Sequence, residues 1–332
     1  MLLDGGKSVK GIAAVFKEHT KTNGVDILVC THNDADHANG VLGFLQAGLL
    51  AKELWLPGRW LDSLPQVLKP LHSIVEQLAS ALISNQLQIH EQPAGEDPLE
   101  RLKYVESDAN HRGQKFSDIG ANGWPGQLLA ELERCSAEDW HPSEFFFYPF
   151  YPLYWDIFLV KKDPAKREIF LAAIDAAKRI REIAVEAFHR GIRVRWFQHC
   201  PTSPCGGTKR LRPINAREIK QYSVDSGDKD LLNFLALSVS NKQSLVFYAP
   251  GEKDEGSVLF TADSDLYGIN LTQQLSQKLK NALVTSPHHG SDANCDAYGK
   301  VNAAAGPDAA TRWVRSDGRF SSRPGKAYLT TQ

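Results

Sequence analysis

The sequence has few cysteines, almost no net charge and no long hydrophobic run. No apolar stretch reaches the roughly 18 residues that a transmembrane helix needs, so we expect no membrane span. The N-terminus lacks the charged start and apolar core of a secretory signal. The five cysteines are odd in number and scattered, which favours reduced thiols and a cytoplasmic location over disulfides. A net charge of −1 does not indicate a globally basic nucleic-acid binder.

What is present is typical of a globular protein. The chain has 332 residues, of which 42% are apolar and 23% charged, enough for one large domain or two modest ones. Cys200 and Cys205 have the spacing of a zinc knuckle, but no second close pair of cysteine or histidine residues accompanies them. We therefore do not favour a structural zinc site there.

The first third of the chain has the pattern of a βαβ unit. Apolar residues at helical spacing predict a helix within 7–22, between a short strand in 1–6 and a mostly apolar strand at Val25–Thr31. The polar segment His32–His37 follows the carboxyl end of that second strand. Open α/β sheets place their chemistry at such strand ends, so this segment is the first candidate for a functional site.

The remainder divides into a helical middle and a strand-rich end. Residues 59–190 have long stretches of helical periodicity and are predicted to be an insertion, so that the chain consists of 1–58, 59–190 and 191–332. Phe234–Ser240 and Ser244–Tyr248 are predicted to pair as a hairpin. Further predicted elements are a helix at 41–50 and strands at 53–57, 191–197, 257–261, 282–286 and 327–330.

Four ligand-type side chains lie within six positions: His32, Asp34, Asp36 and His37. Imidazole and carboxylate groups are good ligands for zinc, manganese or iron. Residues separated by two in an extended turn can point to the same side, so His32 and Asp34 suit one ion, and the adjacent Asp36 and His37 a second. The alternative is a polar loop with helix-capping aspartates, although capping accounts for only one of the carboxylates.

Three other predicted strands also end in ligand-type residues. Asp263 follows the strand at 257–261 and is suited to bridging two ions, with Asp265 as its local competitor and a simple turn as the alternative. His288 and His289 follow the strand at 282–286, where the alternative is an exposed turn. His199 ends the strand at 191–197, where a structural histidine is the alternative. If the ends of these four strands converge at one edge of a sheet, all of these residues could bind the same pair of ions.

These motifs resemble a known superfamily. The segment His32–His37 resembles the His-x-His-x-Asp-His signature of the metallo-β-lactamase superfamily, with Asp34 where the second histidine usually stands. That departure is similar to the ComEC-like branch, named after a DNA-uptake protein. Further segments similar to that branch are Leu3–Gly6, Asn241–Val246, Thr261–Asp263 (with Ala262 in place of glycine) and His288–Ser291. The resemblance covers roughly residues 1–57 and 191–291.

The resemblance implies a fold, a metal centre and residue roles. The fold would be an αββα sandwich of the α/β (α+β) class, interrupted by the helical insertion and lacking the family's strand before Leu2. Two divalent ions would lie at one edge, zinc being expected first and manganese as a substitute because Asp34 makes the first site harder. His32, Asp34 and His199 would bind one ion and Asp36, His37 and His289 the other, with Asp263 bridging. Asp36 would also orient the nucleophile, and His288 would contact substrate phosphate.

The resemblance further implies hydrolysis of a phosphodiester, as by a nuclease. Two local basic segments favour a nucleic-acid substrate, although a solvated helix face is the alternative for the first. One alternative function is hydrolysis of a small ester, lactone or phosphoester. Another is an interaction module with a retained metal site, in which the insertion and its aromatic run Phe145–Trp155 dock a protein partner. The basic segments contain Lys178, Arg179, Arg181, Arg190, Arg193 and Arg195, and Lys209, Arg210, Arg212, Arg217 and Lys220.

Overall fold

A computed structural model describes most of the chain, and its contacts divide into two compact units. Unit 1 consists of Met1–Trp196 and Lys220–Ser240, and unit 2 of Phe197–Ile219 and Asn241–Gln332. The described residues are 1–83, 98–102, 115–136, 140, 162–224, 231–251, 256–276, 278–306, 311–316 and 323–331.

Unit 1 is built from a sheet and a set of helices. In chain order it contains β1 (Leu2–Leu3), α1 (Ile12–Thr20), β2 (Gly24–Val29), α2 (Ala35–Gln46), β3 (Leu50–Pro57), α3 (Trp60–Val67), α4 (Leu71–Ile83), a 3₁₀ turn (Pro98–Arg101), β4 (Lys115–Asp118), α5 (Gly126–Arg134), α6 (Pro164–His189), the start of β5 (Arg193–His199), β8 (Gln221–Val224) and α7 (Leu231–Ser238).

Unit 2 has a second sheet and shorter helices. After the end of β5 it contains β6 (Arg212–Pro213), β7 (Ala216–Ile219), a 3₁₀ turn (Asn241–Gln243), β9 (Phe247–Ala249), β10 (Val258–Phe260), α8 (Leu271–Leu275), β11 (Leu283–Thr285), 3₁₀ turns at Pro287–Gly290 and Asp292–Asn294, α9 (Cys295–Ala305), β12 (Arg312–Val314) and α10 (Lys326–Thr331).

In unit 1 the strands lie in the order β1-β2-β3-β5. The pairs β1–β2 and β2–β3 are parallel, with Leu3 opposite Val29 and Val29 opposite Trp55. The end of β2 is fully buried, which explains its run of apolar residues, because parallel strands are covered on both faces. The long helix α6 packs against α2, α3, α4 and α7. A separate antiparallel pair joins β4 and β8.

In unit 2 the strands lie in the order β12-β11-β10-β9-β6. β10, β11 and β12 are parallel, whereas β9 is antiparallel to both of its neighbours. The core of this unit contains Leu259 and Val284 from the strands and Leu271 and Tyr298 from the helices. The parallel strands β10 and β11 lead directly into the two turns that carry Asp263 and the His288–His289 pair.

The described chain is mixed α/β, as predicted, and the early βαβ pattern is confirmed. The helix predicted within 7–22 is α1, and the strand predicted at Val25–Thr31 is β2. The predicted strand Phe234–Ser240 is wrong, because this apolar run is the buried helix α7. The predicted strand at 327–330 is also wrong, because these residues belong to α10. Short apolar runs have no decisive period, so packing determines their conformation.

The middle of the chain is largely helical where it is described. It contributes α3, α4, α5 and α6 to unit 1, together with the short strand β4. The aromatic run Phe145–Trp155 lies outside the described residues. None of the helices in the described ranges is long and apolar enough to cross a membrane. The outer boundaries of the proposed insertion stay a prediction.

Candidate metal centre

Asp4 is the centre of a hydrogen-bond network around the first histidine motif. Its Oδ2 lies 2.8 Å from Nδ1 of His37, and its two oxygens accept hydrogen bonds of 2.8 Å from the amide and the hydroxyl of Thr31. The side chains of Asp4 and His37 are only 14% and 8% exposed. A carboxylate can only accept, so His37 donates from Nδ1, and its neutral tautomer has the lone pair on Nε2.

Thr31 extends this network to His32. Its single hydroxyl proton is donated to Asp4, and the same oxygen lies 3.0 Å from Nδ1 of His32. The hydroxyl must therefore accept from Nδ1–H of His32, which leaves the lone pair of this imidazole on Nε2 as well. One carboxylate thus sets the tautomer of both histidines. The two rings lie with centroids 4.3 Å apart.

Two glycines allow Asp4 to reach His37. A Cβ built on Gly5 would lie 2.2 Å from the backbone carbon of Gly40, and one on Gly40 would lie 1.9 Å from Gly5. The two backbones are also hydrogen-bonded, from the Gly5 amide to the His37 carbonyl at 3.1 Å and from the Gly40 amide to the Gly6 carbonyl at 2.7 Å. The helix α2 therefore contacts the turn after β1 directly, and no larger residue fits at either position.

The two remaining carboxylates of the motif lie at the start of α2. The helix begins at Ala35, earlier than the predicted 41–50, so Asp36 and His37 belong to its first turn. Oδ1 of Asp36 is 3.8 Å from Nε2 of His37, a separation that suits two ligands of one ion. Asp34 is the N-cap of α2 and its Oδ1 accepts a 2.6 Å hydrogen bond from Ala35. The capping role that the sequence left open thus falls to Asp34.

The turn after β10 carries two carboxylates, of which Asp263 is buried and Asp265 is partly exposed. Asp263 is 1% exposed, and its Oδ2 is 3.9 Å from Nε2 of His288. Asn294 donates to the backbone carbonyl of Asp263 at 2.9 Å and so fixes the turn. Asp265 instead accepts from the amide of Tyr267 at 2.8 Å, as a simple turn residue does. Asp263 is therefore the better candidate of the two.

The paired histidines after β11 have an unusual backbone. His288 has φ 46° and ψ 50°, and His289 has φ 54° and ψ 26°, both in the left-handed region. Both side chains are buried. Nδ1 of His289 is hydrogen-bonded to the hydroxyl of Ser316 at 3.0 Å. Because Nδ1 of His289 is engaged, Nε2 is the atom that this ring offers as a ligand.

His288 has a different partner. A guanidinium nitrogen of Arg323 lies 2.7 Å from its Nε2, so Arg323 donates and His288 accepts through that atom. Because Nε2 of His288 accepts this hydrogen bond, His288 is a weaker candidate for a metal ligand than His289. His199 ends β5 in unit 2 and is partly exposed, beside Cys200, whose amide donates to the Asn215 carbonyl.

A buried thiol lies under the first motif. Cys30 donates to the carbonyl of His32 at 3.1 Å. Burial raises the pKa of the Cys30 thiol well above its usual value, and the negative charge of Asp4 raises it further. The thiol is therefore protonated at neutral pH and packs as a small apolar side chain, unlike a metal-binding thiolate.

Sequence reasoning missed the residues that hold the candidate ligands. Asp4 was assigned only to a strand and turn, although a carboxylate before Gly5-Gly6 was a visible signal. Thr31 was taken as the end of β2. Ser316 and Arg323 lie 27 and 35 residues from their partners His289 and His288, so no local pattern connects them.

The first basic segment is mostly engaged within unit 1. Arg179 and Arg181 are buried, and Arg190 donates to the carbonyls of Leu45 and Leu49. Arg193 and Arg195 both pair with Glu53. The buried guanidiniums of Arg179 and Arg181 donate to backbone carbonyls, so the solvated helix face offered as the alternative to a DNA track is wrong for these two residues. The exposed members of the second segment in unit 2 are Lys209, Arg210, Arg212 and Arg217.

The donor chemistry of these residues fits divalent metal ions. Imidazoles whose Nδ1 atoms are hydrogen-bonded, next to buried carboxylates, are a common arrangement at zinc and manganese sites. Comparisons with models of protein families, with curated proteins and with solved structures gave no match to this chain. The resemblance to metallo-β-lactamases therefore rests on the sequence motifs alone.

Proposed function

We propose that this protein is a metal-dependent hydrolase of the metallo-β-lactamase type that cleaves phosphodiesters. The observation that carries the proposal is the network in which Asp4 and Thr31 fix the tautomers of His37 and His32. A partly buried carboxylate that orients two neighbouring imidazoles in this way is typical of metal sites, because it strengthens the imidazoles as ligands and fixes their orientation.

We assign the ligands as the resemblance implies, with the contacts inside unit 1 as support. Oδ1 of Asp36 lies 3.8 Å from Nε2 of His37, so these two side chains would serve one ion. Nδ1 of His32 is engaged with Thr31, so His32 would serve the other ion through Nε2, together with Asp34 and His199. From unit 2, His289 would join the ion of Asp36 and His37, and Asp263 would be shared by both ions.

The metals would be two divalent ions, zinc first and manganese as a substitute. When bound, such a pair lowers the pKa of a water molecule and stabilises charge on the attacking and leaving oxygens. Asp36 would hold that water in line for attack and accept its proton, because its carboxylate lies beside His37 at the start of α2. The αββα sandwich is the fold that this assignment implies.

An anionic substrate is favoured over a neutral ester by the positive charge in unit 2. The guanidinium of Arg323 lies against His288, the residue expected to contact substrate phosphate. A planar guanidinium binds phosphate oxygens in pairs, whereas a neutral carboxylic ester gains little from it. The exposed basic residues between Lys209 and Arg217 would add contacts to a nucleic-acid backbone.

Metal analysis and a substrate panel test this proposal. The chain is stripped with a chelator, reloaded with zinc or manganese, and incubated with bis(p-nitrophenyl) phosphate, single- and double-stranded DNA, and p-nitrophenyl acetate. We expect about two bound ions per chain and cleavage of the phosphodiesters. Asp36→Ala should abolish turnover, while Asp26→Ala should not, because Asp26 is an exposed partner of Lys52.

Three results would contradict the proposal at different points. Absence of bound metal in the wild-type chain would remove the metal centre. Bound metal with turnover of the carboxylic ester alone would favour the small-ester hydrolase. Bound metal without turnover of any substrate would favour an interaction module.

A further inference from the structure

Asn33 lies between the first two residues of the histidine motif and is completely buried. Its amide donates to the carbonyl of Ser238 at 2.8 Å. Its side-chain nitrogen donates to the carbonyl of Ala176 and to the hydroxyl of Ser238, both at 3.0 Å. Asn33, four residues after the end of β2, thus donates three hydrogen bonds to α6 and α7: one from its amide and two from its side-chain nitrogen.

Arg179 of α6 donates hydrogen bonds to the two oxygens of Asn33. Its guanidinium donates to the Asn33 carbonyl through two nitrogens, at 3.1 and 2.8 Å, and one of them also lies 3.3 Å from the Asn33 side-chain oxygen. Arg179 is only 8% exposed. Ala176 and Arg179 are three residues apart on α6 and therefore face the same way.

These bonds fix the two peptide groups on either side of Asn33. The amide of Asn33 belongs to the peptide that follows His32, and its carbonyl belongs to the peptide that precedes Asp34. With both peptide groups held, the backbone dihedral angles of Asn33 are held too. The directions in which His32 and Asp34 leave the chain are therefore determined by α6 and α7, not by the short turn alone.

We propose that Arg179 is a positioning residue for metal binding, which acts by clamping the peptide group between Asn33 and Asp34. The inference rests on the proposed function, since it assumes that His32 binds metal. It gives the helical middle of the chain a role in the site: α6 supplies the clamp through one buried arginine.

Arg181 offers a matched comparison on the same helix. It is 2% exposed, and it donates to the carbonyls of Val67, Leu68 and Ser136 and to the sulfur of Cys135. Its replacement removes a buried guanidinium and its hydrogen bonds, as replacement of Arg179 does. None of those described partners belongs to the histidine motif, so only Arg179 should affect metal affinity.

The test compares Arg179→Met and Arg181→Met in the full-length chain. Zinc affinity is measured by competition with a chromophoric chelator, the absorption spectrum is recorded with cobalt in place of zinc, and unfolding is followed in urea. We expect both variants to lose stability. Arg179→Met should bind zinc about 10-fold or more weakly and show an altered cobalt spectrum. Arg181→Met should stay within about 3-fold of the wild-type affinity.

Arg179→Lys is the second variant, and it replaces Arg179→Met in the zinc-affinity test if Arg179→Met does not fold. Lysine keeps the charge but has one ammonium instead of a planar fork, so it cannot make the paired bonds to Asn33. We expect an intermediate zinc affinity. Wild-type zinc affinity and an unchanged cobalt spectrum in both Arg179 variants would overturn the positioning role. An equal loss of affinity in Arg181→Met would also overturn it, and a wild-type chain that binds no zinc would overturn the proposed function as well.

Discussion

Oδ2 of Asp4 lies 2.8 Å from Nδ1 of His37, although 33 residues separate them in the sequence. The contact joins the turn after the first strand to the first turn of α2. The same oxygen accepts the hydroxyl proton of Thr31, which in turn faces His32. Removal of one carboxylate should therefore disturb two histidines at once.

Asp4→Asn tests this dependence. The amide lacks the negative charge and has only one acceptor oxygen, so it cannot hold Thr31 and His37 as the carboxylate does. We expect zinc affinity, measured by competition with a chelator, to fall by about 10- to 100-fold. Asp26→Asn is the control, because Asp26 is exposed and pairs with the exposed Lys52. Equal zinc affinity of Asp4→Asn and wild type would contradict this view of the site.

The contact between Gly5 and Gly40 predicts a large difference between two helical glycines. Gly40→Ala would place its Cβ about 2 Å from the backbone of Gly5, so α2 must move away from Asp4. We expect a loss of about 2–3 kcal/mol in the free energy of unfolding. Gly299→Ala in α9 has open space around its Cβ and should gain about 0.5–1 kcal/mol. Urea unfolding measures both, and a similar change in the two variants would argue against the close packing.

Ala262 carries a strain that glycine would relieve. Its φ is 47°, in the left-handed region, which residues with a Cβ rarely adopt. Ala262→Gly should raise the free energy of unfolding by about 1 kcal/mol, because a Cβ is unfavourable in this conformation. Ala303→Gly is the control: this exposed residue lies in α9, where glycine should cost about 0.5–1 kcal/mol. We expect urea unfolding to show a higher free energy of unfolding for Ala262→Gly and a lower one for Ala303→Gly. A lower value for both variants would contradict the strain at Ala262.

Tyr298 predicts an alkaline loss of stability. Burial raises its pKa to about 12, whereas an unfolded tyrosine titrates near 10. The folded state thus binds this proton more tightly, so the contribution is complete below about pH 10 and is lost as the pH rises towards 12. Tyr298→Phe should therefore lose less stability than the wild type between about pH 10 and 12. Tyr267→Phe should behave as wild type, because Tyr267 is 80% exposed.

The sequence was informative where residue type and local period agree. The apolar run of β2, the helix α1 and the ligand-type residues at the ends of β2, β10 and β11 could all be predicted from local patterns. The helix α7 could not, because its apolar residues are buried without a clear period. The start of α2 was placed too late, since Asp36 and His37 were interpreted as a loop rather than as a first helical turn.

The supporting residues could not be predicted for a different reason. Arg179 lies 146 residues from Asn33, and a basic residue beside Lys178 and Arg181 has the pattern of an exposed charged face. Only packing shows that it is buried and directed at a backbone carbonyl. Ser316 and Arg323 were missed because their partners His289 and His288 come from another part of unit 2.

The bond between Asn33 and Ser238 spans 205 residues, and this separation matters during protein synthesis. A nascent chain exposes the histidine motif early but cannot form this bond until Ser238 has left the ribosome. Until then, the turn that carries His32 lacks this hydrogen bond to α7. The motif therefore gains this anchor only after the chain has been made as far as Ser238.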